Sequence, residues 1–224
     1  MNDRFLGIAT LVALVAALYF ALIYAPTEAT MGTVQRIFYF HVPAGIMTYV
    51  AFAVVGTGSI GFLTTRKSRW DRLAYCAAEA GAVFGALNLG TGMLWAKPVW
   101  GSWWVWDPRL TLQLMVWLMF IAYLMLGAYI SDPTKRAPLQ AVFGIFGMAN
   151  SVLSYLAIRL WRNQHPSPVI AGGEESGLDP QMYVALGVSM VAVLLLFAYM
   201  VRRRIDLERN VQEIDYLEQV VLSR

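Results

Sequence analysis

The sequence predicts an all-α polytopic membrane protein with six transmembrane helices, and three observations carry that expectation. Of its 224 residues, 58% are hydrophobic and only 14% are charged, against about 25% charged in an ordinary soluble domain. Several apolar runs approach or exceed the roughly 20 residues that cross a ~30 Å hydrocarbon core as a helix. Basic residues cluster in alternate connections between those runs, the asymmetry expected when one set of loops stays on the cytoplasmic side. The net charge of +3 therefore matters through its placement and gives no reason to expect a nucleic-acid partner.

The first span is placed at residues 5–24, after Arg4. Its apolar run exceeds the 7–15 residues of a signal-peptide core, so it is expected to stay as a helix. The second, 41–64, opens on His41-Val42-Pro43; proline is tolerated in a first turn, where the N–H it lacks would have no intrahelical acceptor. The third, 73–94, follows Arg66, Lys67, Arg69 and Arg72. The fourth, 110–130, starts from Asp107-Pro108, an N-cap residue with proline at the first helical position. The fifth, 139–160, follows Lys135 and Arg136 and ends before His165-Pro166, since proline disfavours helical geometry in the residue before it. The sixth, 182–201, runs into Arg202-Arg203-Arg204.

Twelve of the seventeen Lys and Arg residues fall in one set of connections and tails, and five in the other. The positive-inside rule then predicts an N-in, C-in chain with three outer connections. Residues 1–204 are expected to form one membrane domain. In 205–224, Val211, Ile214, Leu217 and Val221 recur at near-helical spacing among charges, the pattern of a cytoplasmic amphipathic tail. The single cysteine, Cys76, excludes an intramolecular disulfide, a CxxC redox pair and a cysteine-based metal cluster. No internal repeat, phosphate-binding glycine loop or Walker motif appears.

Chemistry is expected in the loop placed at 95–109. Within it, Trp100, Trp103, Trp104 and Trp106 put half of the chain's eight tryptophans in the seven positions 100–106. A belt at a membrane interface accounts for one or two; four in seven positions, with Gly101 and Ser102 allowing a tight turn, suggest a surface for a cofactor or partner. The only two histidines, His41 and His165, flank this loop on the predicted outer side. Two imidazoles at one membrane level suit axial ligation of haem iron, whose porphyrin needs flat apolar surfaces and a cation for each propionate. Zinc is a poorer fit, because no cysteine lies near and no HExxH spacing occurs. Asp107 reads first as the helix cap. Arg109 opposes the dipole of the helix it begins, which a propionate partner or a snorkelling guanidinium would explain; Arg36 and Lys97 are further candidate cations. Asn88 and Asn150, within spans, read as interhelical hydrogen-bond partners.

The run Trp100-Gly101-Ser102-Trp103-Trp104-Val105-Trp106-Asp107-Pro108-Arg109-Leu110-Thr111 resembles the tryptophan-rich WWD signature of the haem-handling proteins of cytochrome c biogenesis. With six spans, His41-Val42-Pro43 and a histidine after span five, nearly the whole chain is similar to the haem exporter protein C (CcmC) family. Leu160-Trp161 stands where that family often has a Trp-Trp pair. The resemblance implies a multi-pass protein of the bacterial inner membrane. It implies haem b held non-covalently and transiently at the periplasmic face, between the WWD loop with Gly101 and Asp107 and the axial ligands His41 and His165. It implies transfer to the haem chaperone CcmE and a complex with the ABC subunits CcmA and CcmB and the small protein CcmD. Two rival readings remain at this stage: a cytochrome c haem lyase, and a transporter subunit with a purely structural aromatic belt.

Overall fold

A computed structural model describes residues 3–160 and 178–222. Among the described residues six helices are long and apolar enough to cross a membrane, and the protein is an all-α polytopic membrane protein. Helix α1 (Asp3–Tyr19) closes in a π-helical turn (Phe20–Tyr24), and a 3₁₀ segment (Thr33–Ile37) leads into α2 (Phe38–Thr65). Then come α3 (Ser68–Trp100), α4 (Pro108–Tyr129), α5 (Pro133–Leu160) and α6 (Pro180–Leu222).

Each predicted span is present, and the ends move for identifiable reasons. Helix α2 starts at Phe38, so Pro43 lies inside the helix and Tyr39 loses the N–H that residue 43 would otherwise supply. Helix α3 continues past Lys97 and Pro98 to Trp100, where Gly101 takes the left-handed conformation (φ 74°) and its N–H bonds the Lys97 carbonyl at 3.0 Å. This is the αL stop that glycine makes without steric cost. The tryptophan loop is therefore residues 101–107, shorter than the expected 95–109. Helix α6 is continuous through Arg204 to Leu222, so the tail extends the last span.

Helix α2 is the centre of the bundle, packed on α3, α5 and α6; α4 bridges α3 and α5, and α1 lies against α6 at one edge. Phe52 of α2 and Phe120 of α4 stack with centroids 3.7 Å apart, both fully buried. Small residues bring the helices this close, because a Cβ on Gly81 would lie 2.8 Å from the Ala51 Cβ and one on Gly147 would lie 2.7 Å from Phe52 Cζ. Between lipid-facing helices such close packing stands in for the hydrophobic drive that lipid does not supply. Polar ties cross the bundle as well: Trp117 Nε1 donates to the Ala82 carbonyl and Gln140 Nε2 to the Tyr123 carbonyl, each at 3.0 Å.

The two ends of the bundle differ. At the basic end Arg136 pairs with Asp71 at 3.5 Å, Arg204 with Glu79 at 2.6 Å and Glu208 at 2.7 Å, and Arg202 and Arg203 with Asp3. Glu79, an acid within a span, is thus matched by an α6 guanidinium. At the tryptophan end, Met182, Ala185 and Leu186 of α6 pack with Ala21, Ala25, Phe38 and Tyr39. There the Glu28 carboxylate accepts the Thr30 N–H at 2.9 Å and that of Met31, which hold it below the usual carboxylate range.

Candidate functional site

His41 lies in the first turn of α2 and is half-buried against α3. Its Nδ1 is 3.1 Å from the Asn88 carbonyl and 3.2 Å from Thr91 Oγ1. A carbonyl can only accept, and the Thr91 hydroxyl donates to the Leu87 carbonyl at 2.6 Å. These two contacts favour a proton on Nδ1, leaving the neutral ring's lone pair on Nε2, and are shorter than the opposing approach of the Asn88 Nδ2 donor to Nδ1 at 3.4 Å. This second-partner arrangement fixes the tautomer and plane of many metal-binding histidines. Asn88 Nδ2 also donates to the His41 carbonyl at 3.1 Å, tying the side chain of one helix to the backbone of the other; Asn88 is thus the interhelical partner expected from the sequence. The ring of Trp95 meets His41 edge-on at 5.7 Å and Phe38 at 6.1 Å. A Cβ on Gly92 would lie 3.0 Å from His41 Cε1, so glycine there gives the imidazole its place.

Asn88, Thr91, Gly92 and Trp95 were not among the expected site residues. Their spacing of three, four and seven puts them on one helical face, from which Trp95 was missing when 95 onwards was read as loop. His165 lies outside the described residues.

The tryptophan loop joins the helix that faces His41 to the helix that carries Arg109. Trp100 ends α3 and Gly101 caps it, with Lys97 Nζ donating to the Gly101 carbonyl at 3.0 Å. The Ser102 hydroxyl donates to the Trp104 carbonyl at 2.8 Å and accepts its N–H at 3.4 Å, which folds the loop on itself. Trp104 and Trp106 meet edge-to-face at 5.6 Å. Trp104 Nε1 is buried without a partner, whereas Trp103 and Trp106 are 53% and 76% exposed. Two indoles are thus displayed on the surface and a third is tucked beneath.

Asp107 is the N-cap of α4: its Oδ1 accepts the Leu110 N–H at 2.7 Å, and its carbonyl takes the Thr111 N–H at 3.0 Å. Asp107→Ala is expected to destabilise the start of α4 by about 1 kcal/mol, read as faster amide exchange at Leu110 and Thr111. The three candidate cations are in different situations. Arg36 donates to the carbonyls of Ala21 and Leu22, and to that of Ala25 at 3.5 Å, so it closes the end of α1. Lys97 is engaged with the Gly101 carbonyl. Arg109 keeps Nη1 buried with no acceptor.

One turn along α4 from Arg109, Gln113 Oε1 accepts from Tyr49 Oη of α2 at 2.7 Å and from Ser154 Oγ of α5 at 3.4 Å. Gln113 Nε2 and Asn150 Nδ2 are buried without acceptors; Asn150 thus departs from the hydrogen-bonding role expected of it. Buried N–H groups of Arg109, Gln113 and Asn150 thus lack acceptors among the described residues. No group of three His, Cys, Asp or Glu that could hold a metal ion occurs among the described residues.

Comparison with known proteins identifies the family. The family model for "Heme exporter protein C" matches residues 2–218. Proteins of that name are similar to this chain in Bradyrhizobium diazoefficiens, at 34% identity over 86% of this chain and 73% of the relative, and in Rhodobacter capsulatus, at 29% over 94% and 88%. The Escherichia coli K12 protein of the same name is 28% identical over 86% of this chain and 78% of its own length. With the match running through all six helices and the tryptophan loop, the chain belongs to the haem exporter protein C family.

Proposed function

We propose that this protein is a haem-handling membrane subunit of cytochrome c maturation, without enzymatic activity or an ATPase of its own. It receives haem b non-covalently at the tryptophan end and delivers it to the chaperone CcmE, within a complex with CcmA, CcmB and CcmD in the bacterial inner membrane. The distribution of basic residues supports an orientation in which that end faces the periplasm. The relatives' name, Heme exporter protein C, supports haem as the cargo.

The observation that carries the reading is the setting of His41. An imidazole whose Nδ1 faces a carbonyl and a hydroxyl is oriented to offer Nε2 to iron, and His165 is the second ligand on this reading. The edge of Trp95 and the tryptophan loop supply aromatic surface for the porphyrin, each ring pair contributing about 0.5–1.5 kcal/mol beyond burial. Arg109, with a buried N–H lacking an acceptor, suits a propionate.

The test is purification of the protein with haem and replacement of His41 and His165 by alanine, singly and together. Each single variant is expected to lose the low-spin bis-imidazole spectrum, and the double variant to lose most of its haem. Unchanged haem content and spectrum in the double variant would overturn the assignment.

A further inference from the structure

The donors around Gln113 need more than Arg109 alone explains. Gln113 is 8% exposed and sits one helical turn from Arg109, on the same face of α4. Its Oε1 takes the Tyr49 hydroxyl from α2 and the Ser154 hydroxyl from α5, and those two hydroxyls lie 3.3 Å apart. This arrangement turns Nε2 away from both, and Nε2 is buried with no acceptor, as is Arg109 Nη1. An unmatched buried donor costs about 1–3 kcal/mol, and more when charged, so two of them in one place point to an absent acceptor. The described acids at this end are engaged elsewhere: Asp107 caps α4, Glu28 holds the Thr30 and Met31 amides, and Asp179 accepts the Gln181 N–H. A ligand that matches a guanidinium and an amide N–H together is one with anionic oxygens.

We infer that Arg109 and Gln113 form a carboxylate-binding subsite between α2, α4 and α5, in which one propionate of haem accepts from Arg109 Nη1 and Gln113 Nε2. Tyr49 and Ser154 are positioning residues that hold the amide with its N–H groups toward the ligand. This rests on haem being the cargo, and adds a second donor and its two supports. A phospholipid phosphate offers similar oxygens, but the end at which His41 is prepared for iron favours the porphyrin's own acid groups.

The experiment titrates the purified full-length protein, in nanodiscs of one defined phospholipid, with haem and with haem dimethyl ester, following the Soret band. The native protein is expected to prefer haem. Gln113→Met is expected to weaken haem binding about tenfold, the worth of one hydrogen bond to a charged group, while changing ester binding less than twofold. Tyr49→Phe, which lets the amide turn, is expected to narrow the same ratio to a smaller degree. Should the methionine variant fail to purify, Gln113→Asn, with the amide one methylene shorter, gives the same ratio test.

An equal loss for both ligands would make Gln113 a packing residue and overturn the inference, as would no loss for either. Retained phospholipid that falls in the Gln113 variant while the haem-to-ester ratio stays native would assign the oxygens to lipid and equally overturn it. If the native protein binds neither ligand, the haem reading itself falls, and the inference with it.

Discussion

Gly92→Leu is expected to strip bound haem from the purified protein by roughly 10- to 100-fold, the range seen when the support of a metal-binding histidine is lost, with the helical bundle left intact. A Cβ at residue 92 would already stand 3.0 Å from His41 Cε1, so an alanine needs only a few tenths of an ångström of give. A leucine branches into the space of the ring and must turn it away from the Asn88 carbonyl and Thr91 hydroxyl that face Nδ1. Gly92→Ala is accordingly expected to keep most of its haem. Haem per protein and the Soret band after purification measure both, and circular dichroism shows that the helices remain. A leucine variant with native haem content would mean that the imidazole is not held by α3.

The second large effect is on stability. Gly147→Leu on α5 is expected to cost about 1–3 kcal/mol or more through overpacking, because even a Cβ there would stand 2.7 Å from Phe52 Cζ and 2.9 Å from Cδ1. Phe52 cannot retreat, since its other face is stacked on Phe120 at 3.7 Å. The thermal unfolding midpoint in detergent should fall. Phe52→Leu in the same chain should recover part of the loss, a coupling that independent sites would not show. Additive losses in the double variant would place the strain elsewhere.

The fold was legible to the extent that hydropathy reads out membrane thickness. All six spans followed from apolar runs, and the Asp107-Pro108 start of α4 followed from cap chemistry that does not depend on neighbours. The end of α3 did not, although Gly101 is the residue that stops a helix. Lys97 and Pro98 looked like loop, and a polar or proline residue in the last turn is tolerated where a helix reaches the interface. That error left Trp95 off the face it shares with Asn88, Thr91 and Gly92. Arg36 looked like a ligand cation because sequence cannot show which carbonyls end up beside it. Gln113 was invisible for the opposite reason: one glutamine in an apolar run is ordinary, and its meaning depends on Tyr49 and Ser154, which only the packing of α2 and α5 brings to it.

At about 1.5 Å per residue the 43 residues of helix α6 make a rod about 65 Å long, roughly twice the ~30 Å hydrocarbon core. Near its middle, Arg202, Arg203 and Arg204 clamp it to Asp3 and Glu79, while Met182 and Leu186 at its start bear on Phe38 and Tyr39, two residues short of His41. Between those two points Met190, Val193, Phe197 and Val201 pack into the core, so a single unbroken helix runs from the basic end to the turn that carries the imidazole.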